Sequence, residues 1–327
     1  MTLPADPATP RRVGPHLPLG AGLLKAAERA REVGAGAVQI FSDNPTAWRR
    51  KPEPPADVAA FRERLRELDI GPLAVHGPYL INLCGPDQEL WDRSVATVVA
   101  ELHMGAAYGA SFVNIHIGSH KQSGFEAGLD RLARGLAAAL EQVPPAPGVP
   151  LLVLENSAGG AGMGGTMEEL AGILELAQGA GVPLDRLGFC LDTAHLWAAG
   201  HEISRPEVLD RLLDRFDALI GPERLAMMHL NDAGTALAST VDRHEHIGAG
   251  AIGPIGMAHV LRHPRLRSVP AYLETPGMDM GYDGINMERV RRLQDDQTLP
   301  DLPADAFTVR GSRSRSASPG ASPRPEA

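Results

Sequence analysis

The stretch VDRHEHIG, residues 241–248, sets two histidines, two acids and an arginine within eight positions. Side chains on an extended segment alternate between two sides, so Asp242 and His244 share one side while Arg243 and Glu245 face the other. His246 is read as a supporting residue. Imidazole and carboxylate without thiolate suit Zn²⁺, Mn²⁺ or Fe²⁺ and argue against Ca²⁺ or Mg²⁺, which favour all-oxygen shells. A solvated charged turn has the same composition, so the chemistry depends on partners elsewhere in the chain.

Those partners stand at the ends of short apolar runs. The runs are VGPHL 13–17, AVQIF 37–41, PLAVH 72–76, FVNIH 112–116, LLVLE 151–155, LGFCLD 187–192, LAMMHLN 225–231 and AYLE 271–274. Longer stretches between them repeat apolar residues every three or four positions, as helices do. Eight β-then-α units predict an α/β fold, a single (β/α)₈ TIM barrel. An open doubly wound sheet is the alternative, weakened because HLPLGAG after the first run lacks a dinucleotide-binding glycine pattern. The runs end on or next to His16, His76, His116, Glu155, Asp192, His229 and Glu274; only the second has no titratable group there. In a parallel barrel all these ends open on one face, where active sites sit. Packed carboxylates and imidazoles need a compensating cation. His195, three residues after Asp192, can reach back to the same face. The candidate metal ligands are therefore His76, His116, Glu155, Asp192, His195, His229, Asp242, His244 and Glu274. One catalytic zinc takes about three protein ligands, so this set suits two or three ions.

The whole chain sets further bounds. It has 327 residues, 43% of them hydrophobic, which suffices for one large domain. The formal charge of −9 argues against nucleic acid unless bound cations reverse the local sign. There is no membrane-length apolar run and no secretory leader pattern. Cys84 and Cys190 form no disulfide framework, and Cys190 lies in an apolar run; a cytoplasmic, reduced setting is expected. From Ala304 the sequence is rich in Ser, Pro, Arg and Gly. The expected division is a barrel domain over 1–303 and a disordered tail over 304–327, either without a role or in weak electrostatic contact with DNA.

The motifs in order resemble the endonuclease IV (deoxyribonuclease IV) family of metal-dependent apurinic/apyrimidinic endonucleases. They are VHGPYLINL 75–83, HIGSH 116–120, LENSAG 154–159, GFCLDTAHLWAAG 188–200, MHLND 228–232, VDRHEHIGAGAIG 241–253 and LETPG 273–277. The resemblance implies three zinc ions per chain, with manganese an alternative at one position. By that pattern His76, His116 and Glu155 hold one ion. Glu155 bridges to a second, shared with Asp192, His229 and Glu274. His195, Asp242 and His244 hold the third. The implied reaction is hydrolysis of the DNA backbone 5′ to an abasic site, giving a 3′-hydroxyl and a 5′-deoxyribose phosphate, with trimming of blocked 3′ ends, in base excision repair. Glu155 is the implied catalytic residue. The partner would be double-stranded DNA with abasic or 3′-blocked sites, bound by a monomer.

For DNA contacts, the resemblance places Tyr79 and Leu80 in the minor groove. WRRK 48–51 is the clearest basic cluster, making Trp48, Arg49 and Arg50 candidates; Lys121 and Arg243 are candidates for phosphates. Tyr79 could instead cap the barrel, and WRRK could be a solvated turn. Thr46 stands where the family often has an arginine wedge, and Ala233-Gly234 where it commonly has Ser-Lys. Ala194 and Ile117 are further departures, and none of the four removes a ligand. Two other readings compete: a sugar isomerase or epimerase with one or two metals, and a damage-binding protein without catalysis.

Overall fold

The computed structural model describes residues 11–308. Its strands are β1 (Val13–Leu17), β2 (Val38–Phe41), β3 (Leu73–His76), β4 (Phe112–His116), β5 (Leu151–Glu155), β6 (Leu187–Asp192), β7 (Leu225–His229), β8 (Asp232–Ala233), β9 (His244–Glu245) and β10 (Ala271–Leu273). Eight of them close into a parallel barrel in the order β1-β10-β7-β6-β5-β4-β3-β2. The expected TIM barrel is thus the observed fold. β8 and β9 form a separate antiparallel ribbon.

Helices pack outside the barrel because their apolar residues recur on one face. Phe125–Gln142, for example, buries Leu129, Leu132, Leu136 and Leu140 against the strands. Each fully buried leucine contributes about 1.5–3 kcal/mol relative to exposure. Some helix starts are fixed by side-chain caps. Asp87 accepts from the backbone N–H of Leu90 at 2.9 Å, and Thr166 from that of Glu169 at 3.2 Å.

Inside the barrel, strand alternation supplies a second, smaller core of Ala37, Ala74, Val153, Cys190, Met227 and Tyr272. Gly14 lets β1 approach its neighbour: a Cβ there would lie 1.6 Å from the carbonyl oxygen of Ala37.

Two boundaries differ from the sequence reading by more than one residue. The seventh run was expected to extend to residue 231, but β7 stops at His229. The Asn231 N–H donates to Thr193 Oγ1 at 2.8 Å, and its side-chain oxygen accepts from the Glu274 N–H at 2.7 Å. These side-chain bonds replace the ladder, and the chain leaves into β8. At the other end, Ala304–Thr308 forms a 3-10 turn where the tail was expected to begin. Ala306 is buried, and its carbonyl accepts a hydrogen bond from His246 Nε2 at 3.1 Å. The rest of that expected tail, 309–327, lies outside the described residues.

Candidate metal centre

The barrel strands deliver their terminal side chains to one point. Glu155, at the end of β5, is 1% exposed and lies at the centre. Its Oε2 is 3.4 Å from His76 Nε2 and 3.3 Å from His116 Nε2; its Oε1 is 3.1 Å from His229 Nδ1. His229 Nδ1 also lies 3.7 Å from Asp192 Oδ2 and 3.4 Å from Glu274 Oε2. Asp242 Oδ1 joins His195 Nε2 at 3.2 Å to His244 Nε2 at 3.1 Å. All nine residues singled out from the sequence are therefore gathered in one connected cluster.

Local structure explains the spacing of two motifs. Asp192 ends β6 and caps the helix Thr193–Ala198, accepting from the His195 N–H at 2.9 Å. The first helical turn then swings His195 back over the barrel mouth. Asp242 and His244 arrive on the return of the loop that follows β8. That loop is tied down by Asp232, fully buried, whose Oδ1 accepts from Ala233 N–H at 2.8 Å and Ile252 N–H at 2.9 Å.

Four imidazoles are oriented by one ring nitrogen so that the other faces inward. His76 Nδ1 pairs with Gly77 O at 2.6 Å, His195 Nδ1 with Asn156 O at 2.8 Å and His244 Nδ1 with Glu274 O at 2.9 Å. His229 is reversed, with Nε2 on Gln39 Oε1 at 3.0 Å. The inward atoms His76 Nε2, His195 Nε2, His229 Nδ1, His244 Nε2 and Glu155 Oε1 are buried with no hydrogen-bond partner among the described residues. They lie at ion-pair distances without hydrogen-bond angles, as donors aimed at shared points would. The candidate ligand atoms fall into overlapping sets within 4.8 Å of one another: His76, His229 and Glu274; His76, His116 and Glu155; Glu155, Asp192, His229 and Glu274; Asp192, His195 and His244. Imidazole and carboxylate donors in this arrangement fit divalent metal ions of the zinc type. Neither cysteine competes, because burial raises each thiol to about 12.

Burial and opposite charge compete across the cluster. Burial alone would raise the Glu155 carboxyl, but His229 and His116 hold it well below the usual range. Burial alone would lower His195 and His244, yet Asp192 and Asp242 raise them to about 10 and about 9.

A further cluster outside the barrel, Asp210, His259 and His263, has a different character. Both Nε2 atoms point at Asp210 Oδ1, at 2.9 and 3.2 Å, and His263 Nδ1 accepts from the Arg265 N–H. A neutral His263 ring used this way has no lone pair left for a metal.

The candidate DNA-contacting residues are scattered more widely. Trp48, Tyr79, Leu80 and Lys121 line a cleft of about 640 Å³ that opens onto Glu155, His195 and Asp242. The Tyr79 ring lies 5.9 Å from that of His76 and 6.2 Å from that of His116, so it also covers these two candidate ligands. Arg49 and Arg243 are exposed outside that lining. Arg50 departs from expectation. Its side chain is only 11% exposed and pairs with Glu101 at 3.2 Å. It also donates to the carbonyls of Asn44 and Ala47. It braces the loop rather than offering charge to a phosphate.

Sequence reasoning missed the uncharged residues that hold the cluster. Asn114 Nδ2 donates to Glu155 Oε2 at 2.8 Å, and Asn231 Nδ2 to Asp192 Oδ2 at 2.8 Å. Gln39, in β2, joins His16, His229 and Glu274. The available signal was an amide inside an otherwise apolar strand, as in AVQIF and FVNIH.

The profile of the xylose isomerase-like TIM barrel family matches residues 27–299. A protein of Halothermothrix orenii described as "Probable endonuclease 4" is 36% identical, covering 85% of this chain and 99% of its own. One of Haloarcula marismortui with the same description is 35% identical, over 86% and 99%. Among solved structures, endonuclease IV from Thermus thermophilus superposes with a TM-score of 0.75 at 34% identity, covering 87% of this chain and 99% of that one. A D-tagatose 3-epimerase-like protein matches at 0.61 with 17% identity, which is a likeness of fold alone.

Proposed function

Because the chain belongs to the endonuclease IV family, within the xylose isomerase-like TIM barrels, and is a nuclease-type enzyme, we propose that it hydrolyses duplex DNA 5′ to abasic sites. The products are a 3′-hydroxyl and a 5′-deoxyribose phosphate. The same centre trims blocked 3′ ends, and both activities serve base excision repair. The observation that carries this reading is the cluster of nine inward-facing imidazoles and carboxylates, centred on Glu155, at the base of an open cleft.

In this reading three zinc ions are held. His76, His116 and Glu155 form one set, Glu155, Asp192, His229 and Glu274 a second, and His195, Asp242 and His244 the third. Manganese is an alternative at one of them. When bound, the ions supply positive charge and Lewis acidity to a scissile phosphate, which lets an acidic protein accept DNA. The chain's own residues do the rest. Glu155 orients the attacking water between its neighbours. Tyr79 and Leu80, at the rim above His76 and His116, occupy the space left by the missing base. Lys121, Arg49 and Arg243 hold the backbone on either side, and Trp48 lines the entrance. The enzyme is read as a cytoplasmic monomer; no helix among the described residues is long and apolar enough to cross a membrane.

The test is a duplex with one abasic analogue, incubated with zinc-loaded protein. A single nick on the 5′ side is expected, leaving an end that a polymerase extends. Binding without any cut would sink the catalytic reading. A nick on the 3′ side would sink the proposed reaction.

A further inference from the structure

β2 is the one barrel strand that ends without a titratable group, yet it reaches the centre through Gln39. The residue is fully buried and paired across the sheet with His16. Strand alternation turns Val38 and Ile40 outward to the helices, while Gln39 faces the barrel interior with Ala37. Its amide makes contacts of 2.9 Å to Glu274 Oε1, 3.0 Å to His16 Nδ1 and 3.0 Å to His229 Nε2.

Chemistry fixes which end of the amide faces which partner. An ionised carboxylate only accepts hydrogen bonds, so the NH₂ group must face Glu274. The second N–H then reaches His16 Nδ1. The carbonyl oxygen is left for His229, whose Nε2 must carry the proton. The lone pair of His229 is thereby confined to Nδ1, the atom facing Glu155, Asp192 and Glu274. Turning the amide over would set oxygen against carboxylate and leave the His229 ring in the wrong tautomer.

We propose that Gln39 is a positioning residue of the metal centre: its amide selects the His229 tautomer that binds metal through Nδ1 and, with the same group, aims the Glu274 carboxylate. This rests on reading the cluster as a metal centre. Residues that hold a ligand's remote nitrogen typically matter by about 10–100-fold in metal affinity.

The experiment compares Gln39→Leu and Gln39→Glu with wild type in zinc-loaded form. Zinc release into a colorimetric chelator is followed without DNA; kcat and KM are then measured on an abasic duplex. Leucine keeps the bulk but none of the three hydrogen bonds. It should release one ion at least tenfold faster and lower kcat about tenfold or more, with KM within threefold. Glutamate next to Glu274 shares a proton with it, and a protonated carboxyl keeps one donor for Glu274 and one acceptor for His229, losing only the amide's second N–H to His16. Gln39→Glu should therefore release zinc within about threefold of wild type. If Gln39→Leu does not fold, Gln39→Met, which also lacks all three bonds and packs more flexibly, takes its place. Wild-type release rates in the leucine or methionine variant would overturn the proposal. Equal impairment in the glutamate variant would overturn it as well, since packing alone would then matter. Zinc retention is read independently of cleavage. A wild-type protein that holds zinc but leaves abasic DNA intact would sink the nuclease reading without touching this one.

Discussion

Glu155 is the residue on which the most contacts converge, with His76, His116, His195 and His229 each within 3.4 Å of one of its oxygens. Replacing it by glutamine keeps the shape and removes the charge. Under the proposed reaction, Glu155→Gln should lower the rate of abasic-site cleavage by orders of magnitude. Affinity for the uncleaved duplex should stay within about tenfold, or 1.4 kcal/mol. Single-turnover rates and binding curves on the same duplex separate the two effects; near wild-type cleavage would mean that the water is oriented elsewhere. At this scale six charged residues of the cluster were legible in the sequence because barrel topology sends every strand end to one face, and His195, Asp242 and His244 were legible from their spacing. The amides were not. Gln39, Asn114 and Asn231 have no charge to demand a partner, and their value appears only when the groups beside them are known. His16 was legible as a strand-end histidine, but its place beside Gln39 and 3.6 Å from Glu274 was not.

The loop after β2 shows why element-scale reading was harder. WRRK is a basic cluster in sequence, yet its two arginines have opposite fates. Arg50 is folded inward onto Glu101, which also accepts from Ser42 Oγ at 2.6 Å. Asp43 caps the same turn by accepting from the Asn44 N–H at 2.8 Å and the Lys51 N–H at 3.0 Å. Thr46, in the place of the family's arginine wedge, bonds back to Asn44 and adds no charge. Sequence reports where a charge is attached, and only packing reports where it points. Arg49→Ala should weaken binding to abasic and intact duplex alike and reduce the log–log salt slope by about 0.9, the loss of one phosphate contact. Arg50→Ala should weaken abasic binding through a loosened loop while leaving the slope unchanged. Affinities for both duplexes over a salt series decide the matter. A slope change in Arg50→Ala as large as in Arg49→Ala would show that Arg50 reaches the backbone after all.

For the molecule as a whole, the barrel supplies rigidity and the centre spends part of it. The strands, their order and the face that carries the ligands all followed from periodicity, because a closed parallel barrel leaves few choices once eight β-then-α units are present. The ends of elements followed less well, since β7 and the final turn are set by Asn231 and His246, single side chains bonding across long stretches of sequence. Within that frame, five imidazoles and four carboxylates converge in a buried cluster, with His229 and Asp192 fully buried. Like charges so placed repel unless ions stand between them. Metal ions bound only by the folded state add stability by mass action, about 4 kcal/mol for each held at a thousand times its dissociation constant. Stripping zinc with a strong chelator should therefore lower Tm at neutral pH by of order 10 °C for each ion so held, given about 2–4 °C per kcal/mol for chains approaching this size. The stripped protein should also acquire a pH dependence of definite sign. Its His195 and His244 sit at about 10 and about 9, against an ordinary value of 6.5 in the unfolded chain. A histidine raised on folding contributes stability that is complete below the unfolded value and is lost as pH climbs through the folded one. Calorimetry of the stripped protein should show Tm falling between pH 6.5 and 10. In the loaded protein the same nitrogens are occupied and carry no proton to lose, so its Tm should not follow that decline. A stripped protein with the Tm of the loaded one at every pH would mean that the cluster tolerates its own charges without ions, and the metal-centre reading would fail with it.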